Sequence, residues 1–121
     1  TEDLVGKFNA PAVTRLLKIA EWELEKVRNW DRDSLSGLFQ RMAETEETKL
    51  KDLLRPFFFA ISGSAVSLPL FDGMALLGPD LSRIRLRKAL NQLSEAGSGL
   101  SNKGLKALEK EYRTSYGERI D

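Results

Sequence analysis

The chain has 121 residues, 41% hydrophobic and 31% charged, which fits one folded domain with a real core and excludes a disordered chain. It contains no cysteine and no histidine, which excludes disulfides, thiolate or imidazole zinc sites, Cys or His nucleophiles, and any Ser-His-Asp arrangement. Net charge is only +1, yet residues 1–78 carry ten basic against twelve acidic side chains and residues 79–121 nine against six, a weak shift toward positive charge at the C-terminal end.

No apolar run approaches a membrane span, and no charged segment precedes a signal-like apolar stretch. The expectation is therefore a cytoplasmic protein with no membrane partner. The chain starts at Thr1 without an initiator Met, which suggests an excised or processed piece.

Helical spacing begins after "NAP". Val13, Leu16, Leu17, Ala20, Leu24, Val27 and Trp30 recur at three- and four-residue steps, one face of an amphipathic helix with Glu21, Glu23, Glu25 and Lys26 left for water. Asn9 is placed to cap this helix and Pro11 suits its first turn. "NWDRDS" breaks the pattern, and Asp33 or Ser34 is expected to cap a second helix carrying Leu35, Leu38, Phe39 and Met42. "ETEET" supplies acids and hydroxyls suited to the start of a third helix, with Leu50, Leu53, Leu54, Phe57, Phe58 and Ile61 on its apolar side. Pro56 predicts a kink inside that helix and Gly63 its end.

Beyond the loop "GSAVSLP", Leu70, Phe71, Met74, Ala75 and Leu77 predict a short buried helix that stops at Gly78. Pro79 and Asp80 restart the chain as first-turn residues of a helix to about Leu93, with Leu86, Ala89, Leu90 and Leu93 buried. "SEAGSGLSN" reads as a flexible linker. A last helix from about Lys103 sets Leu105, Leu108, Tyr112 and Tyr116 in a narrow stripe, best explained as packing on the rest of the chain. Nothing alternates with period two over a useful length, so the fold class is all-α: a compact helical bundle over residues 1–93, with a linker and C-terminal helical extension over 94–121.

Several local signals carry no chemistry. "GSG" at Gly97 to Gly99 lacks the strand before it and the Gly-Lys-Ser/Thr after it that a phosphate loop needs. The acids of the first helix and of "ETEET" alternate with basic residues and do not form a cation loop. No pair of carboxylates sits in an apolar setting, so catalytic, metal and cofactor residues are all expected to be none, and the chain by itself is not an enzyme. Arg83, Arg85, Arg87 and Lys88 scatter around their helix, with Arg83 and Arg87 a turn apart; phosphate contact and plain surface both remain open for them. Lys103, Lys106, Lys110 and Arg113 share one side, but Glu109 and Glu111 between them favour an ordinary surface helix.

The loop before Leu70 has two readings. Ser67 can cap the following helix and Pro69 fixes its entry. A helix start has backbone N–H groups without intrahelical partners, and beside a small apolar loop these can meet the edge of an unpaired base while Leu and Pro cover its face. A structural corner is the other reading.

Residues 49–90, "KLKDLLRPFFFAISGSAVSLPLFDGMALLGPDLSRIRLRKAL", resemble the C-terminal anticodon-binding region of bacterial glutamyl-tRNA synthetases. The matching positions, in unbroken spacing, are Pro56, Ala60, Ile61, Ser62, Gly63, Val66, Ser67, Pro69, Leu70, Phe71, Asp72, Met74, Leu76, Leu77, Gly78, Leu86, Arg87, Ala89 and Leu90. The resemblance implies an all-α domain that receives the anticodon loop of tRNA. A separate class I domain of the parent chain, a glutamate–tRNA ligase, would bind ATP and Mg and perform the ligation. Residue by residue it implies that Ser67, Leu68, Pro69 and Leu70 lie on the loop that contacts anticodon bases, with Leu68 where Pro is common. Phe58 stands where many members have an Arg that approaches the anticodon, which leaves a stacking surface or a core residue there. Arg83, Arg87 and Arg55 would support backbone phosphates. The expected partners are thus tRNA and the rest of the parent chain, in a monomer. A different reading is a non-enzymatic helical module whose Phe/Leu-rich groove takes a partner helix.

Overall fold

The computed structural model describes residues 8–62 and 69–117, and these form helices without a strand among them. In chain order they are α1 (Ala10–Glu25), α2 (Arg32–Thr45), α3 (Leu50–Ser62), α4 (Leu70–Leu93), a π-helical turn (Ser94–Ser98) and α5 (Asn102–Tyr116). None is long and apolar enough to cross a membrane.

The helix boundaries follow local chemistry. Asn9 Oδ1 accepts from the Ala12 amide at 2.8 Å and Pro11 occupies the first turn of α1, both as expected. The cap of α2 is Asp31 rather than Asp33 or Ser34. Asp31 is extended (φ −136°) and its carboxylate accepts from the Ser34 amide at 2.8 Å, while Asp33 contributes charge inside the first turn. "ETEET" closes α2 instead of opening α3. Glu47 takes the left-handed conformation (φ 53°), and the Thr48 and Glu47 amides reach back to the carbonyls of Ala43 and Glu44 at 3.0 and 3.2 Å. This is the double hydrogen bond that ends many helices. α3 runs through Pro56, which is buried. The Gly63 position lies outside the described residues.

α4 contains the expected break. Gly78 has φ 86° and ψ 170°, a region open in practice only to glycine, and Pro79 then restarts the helix. The segment read as a linker keeps helical winding through 94–98, because Ser94, Glu95 and Ala96 all tolerate a helix; Gly97 (φ 89°) breaks it. α5 starts at Asn102, with Ser101 Oγ accepting from the Gly104 amide at 3.0 Å.

α4 is the hub: it packs against α3 most closely, and also against α1 and α2. Phe39 of α2 meets Phe57 of α3 edge-on at 4.8 Å and Phe71 of α4 at 5.6 Å. Fully burying a side chain such as Phe57 stabilises the fold by about 1.5–3 kcal/mol. α1 is buried on more than one side, since Ile19 and Thr14 join Val13, Leu16, Leu17, Ala20 and Leu24 inside. Glu21 and Glu23, expected at the surface, are buried for the same reason. α5 covers that outer flank of α1.

A candidate nucleic-acid interface

The corner between α3 and α4 is fixed from below by apolar packing. Leu70 and Met74 are buried in the core, and Phe71 lies half-buried against Phe39. Trp30 Nε1 donates to the Met74 carbonyl at 2.8 Å, and Arg32 Nε lies 3.2 Å from the Asp72 carboxylate. The guanidinium of Arg85 donates to the Ile61 carbonyl, so the end of α3 is tied to the second half of α4. The end of α3 and the start of α4 are therefore each held by packing and hydrogen bonds.

Its tip is open. Pro69 is exposed and extended (φ −50°, ψ 143°) and serves as the cap position of α4 without any side-chain cap hydrogen bond. The first internal bond of the helix runs from the Gly73 amide to the Pro69 carbonyl at 2.9 Å. Pro69 thus presents an apolar surface at a helix start, where the first amides have no intrahelical partner. Ser67 and Leu68 lie outside the described residues. Leu70 contributes differently from the expectation: its side chain is buried, so it anchors the corner and shows no apolar surface to a ligand. Phe58 is half-buried and packs against the core. Arg55 is exposed on the same helix, its guanidinium 5.3 Å from the Phe59 ring centre.

Of Arg83 and Arg87, the two α4 arginines expected at phosphates, Arg87 has a partner inside the protein. Its guanidinium bonds Glu21 Oε1 at 3.2 Å, while Nε lies 3.2 Å from Oε2 but out of line for a hydrogen bond, so Oε2 is held by charge alone. Lys18 Nζ adds a contact to Oε1 at 2.6 Å. Arg87 therefore neutralises a buried carboxylate, although its own side chain stays half-exposed. Arg83 is exposed beside Asp80 and Trp30, on the rim of a cleft of about 220 Å³ whose floor includes Glu21. The corner and these arginines do not converge on one pocket. Among the described residues no acidic side chains cluster as a metal would need.

The feature missed by sequence reasoning is the pair of carboxylates that hold α5. Tyr112 Oη donates to Glu23 Oε2 at 2.6 Å, and Tyr116 Oη to Glu46 Oε2 at 2.5 Å. Lys26 Nζ sits 3.2 Å from Glu23, 2.9 Å from the Gly117 carbonyl and 4.7 Å from the Tyr112 ring centre. Arg15 bridges Glu46 and Glu111. Burial pushes the Tyr116 phenol above its ordinary value, with Glu23, Tyr112 and Glu111 adding to the rise and Arg15 opposing it. The available signal was Ile19, apolar yet off the main stripe of α1, together with two tyrosines whose hydroxyls needed buried partners.

The chain is 45% identical over 107 residues to the glutamate–tRNA ligase of Saccharophagus degradans, covering 88% of this chain and 20% of that protein. It is 39% identical over 104 residues to the glutamate–tRNA ligase of Pseudomonas entomophila (86% and 20%) and 39% over 106 residues to that of a Marinomonas species (88% and 21%). The chain thus spans about a fifth of the length of the curated relatives it matches. A family model described as an anticodon binding domain matches residues 1–90, which take in α1 to α3, the corner and most of α4. On that match the chain belongs to the anticodon binding domain family.

Proposed function

We propose that this chain reads the anticodon loop of a tRNA as the C-terminal domain of a bacterial glutamate–tRNA ligase. The parent enzyme joins glutamate to tRNA(Glu) with ATP and Mg held in its catalytic domain, in the cytoplasm and as a monomer. Residues 1–93 form the reading unit and residues 94–121 an extension appended to it. The reading is carried by one observation: the family model covers the α3–α4 region, where an exposed Pro69 stands directly before a helix start whose Leu70 and Met74 are buried in the core.

The mechanism is recognition without chemistry. Pro69 and the packed start of α4 are offered to a splayed base, whose edge meets backbone amides while its face rests on apolar surface. Phe58 supports the corner through its contact with the core, and Arg55 and Arg83 supply charge to nearby phosphates. Because the start of α4 is held by Leu70, Phe71 and Met74, its amides lose little ordering entropy when a base docks.

The test compares the 121-residue chain on tRNA(Glu) and on the same tRNA with its anticodon replaced. Tighter binding to the native anticodon, reduced roughly tenfold by Pro69→Asp, is the expected result, since a carboxylate there removes the apolar contact and repels nearby phosphates. Equal binding to both tRNAs overturns the reading. Binding that ignores RNA and responds only to a helical peptide favours a protein-interaction module.

A further inference from the structure

α5 lies beyond residues 1–90, to which the family model is matched, and its outer face carries a row of exposed basic residues. At about 100° per residue, Lys103, Lys106, Lys110 and Arg113 fall within roughly 80° of arc, and all four are exposed. The stripe runs for about 15 Å at 1.5 Å per residue. Leu108 and Tyr112, on the other side of the helix, are buried against the bundle, so the stripe is aimed outward. One flank carries Ala107 and Thr114, small residues that keep no bulky group over it, and the other carries Glu109.

Two acids interrupt the stripe in sequence, and the structure separates them. Glu111 turns toward α1, where Arg15 holds it, and so does not screen the lysines. Glu109 pairs with Arg113 at 2.7 Å and neutralises only that end. Lys103, Lys106 and Lys110 have no carboxylate within ion-pair distance among the described residues. Three outward cations in a row, rigidly mounted by the tyrosine clasps beneath, complement a line of phosphates.

We propose that the outward face of α5 is a second RNA contact, a sequence-independent clamp on the tRNA phosphate backbone formed by Lys103, Lys106 and Lys110. This rests on the tRNA-reading proposed above, and it adds affinity without adding anticodon discrimination, because phosphate contacts position a nucleic acid and carry no base information.

The experiment measures binding of the 121-residue chain to tRNA(Glu), and to its anticodon-replaced version, across a salt series. Each phosphate neutralised contributes about 0.7 to 0.9 to the slope of log affinity against log salt. K103Q/K106Q/K110Q is expected to flatten that slope by about 2 and to weaken both tRNAs by the same factor, roughly 10- to 100-fold at about 0.1 M salt. Far-UV circular dichroism must show unchanged helix content, which Gln at exposed helix positions permits. Glu109→Gln releases Arg113 and should tighten both tRNAs severalfold. An unchanged slope in the triple variant, with the wild-type chain binding tRNA, overturns the clamp and leaves the anticodon reading standing. Wild-type protein that binds both tRNAs equally but loses slope in the triple variant overturns the anticodon reading and leaves the clamp. No binding by the wild-type chain overturns both.

Discussion

The α3–α4 corner and the α5 dock are two solutions to holding a helix in place. At the corner, Phe39, Phe57, Phe71, Leu70 and Met74 lock α4 by apolar contact, with hydrogen bonds from Trp30 and Arg85 added at the edges. At the dock, only Leu108 and Tyr112 of α5 are buried, and the joint depends on Glu23, Glu46, Lys26 and Arg15. Apolar packing is insensitive to pH and tolerant of small geometric change. A joint built from buried carboxylates is directional and fails when one partner is lost. The difference suits the proposed division of labour, with a rigid reader and an attached clamp.

That contrast can be broken by mutation, starting with the largest effect. Phe57→Ala leaves a cavity between α2 and α3 and is expected to cost about 3–5 kcal/mol in urea unfolding, loosening the corner together with the whole bundle. Tyr112→Phe removes the hydroxyl that Glu23 accepts from while keeping the ring. A cost of about 1.5–3 kcal/mol is expected, the range for a hydrogen bond to a charged group. It should be read as early hydrogen exchange of α5 amides while α3 and α4 stay protected. A corner that loosens first would contradict the contrast.

Gly78→Ala tests the break in α4. Nothing lies within 4 Å of a Cβ placed there, so the whole penalty is backbone strain, about 1–3 kcal/mol. A cost near zero would mean that the two halves of α4 can straighten. The smallest effect is on pH. The Tyr116 phenol ionises less readily folded than unfolded, so its contribution is fully present below the ordinary value of 10.0 and is lost as pH rises above it. Wild-type stability should therefore fall more steeply above that pH than that of Tyr116→Phe. Identical alkaline limbs would show that the dock does not feel this group.

Legibility in the sequence divided along the same line. The helices of the corner are written in period-3.6 apolar stripes, and Asn9, Pro11, Gly78 and Pro79 mark ends that the structure keeps. Asp31 displaced Asp33 and Ser34 as the cap of α2, because several adjacent polar residues qualify and only the backbone decides among them. "ETEET" was ambiguous for a related reason: Glu47 in a left-handed conformation defies its usual preference, and two back-directed hydrogen bonds hold it there. Glu21 and Glu23 look like surface residues because charge dominates any hydropathy reading. Their burial depends on Arg87 and Tyr112, which are 66 and 89 residues away in sequence. Pairings at that range leave no local trace. At the candidate site, the exposure of Pro69 and the burial of Leu70 separate two neighbours that pattern alone treats alike.

The most direct measurement of the central claim is a backbone amide NMR titration of the 121-residue chain with a short stem-loop carrying the tRNA(Glu) anticodon. The largest shift changes are expected at Leu70, Phe71, Asp72 and Gly73, the first amides after Pro69, with smaller changes along α5. Undisturbed amides at those four positions in a saturated complex would contradict that claim.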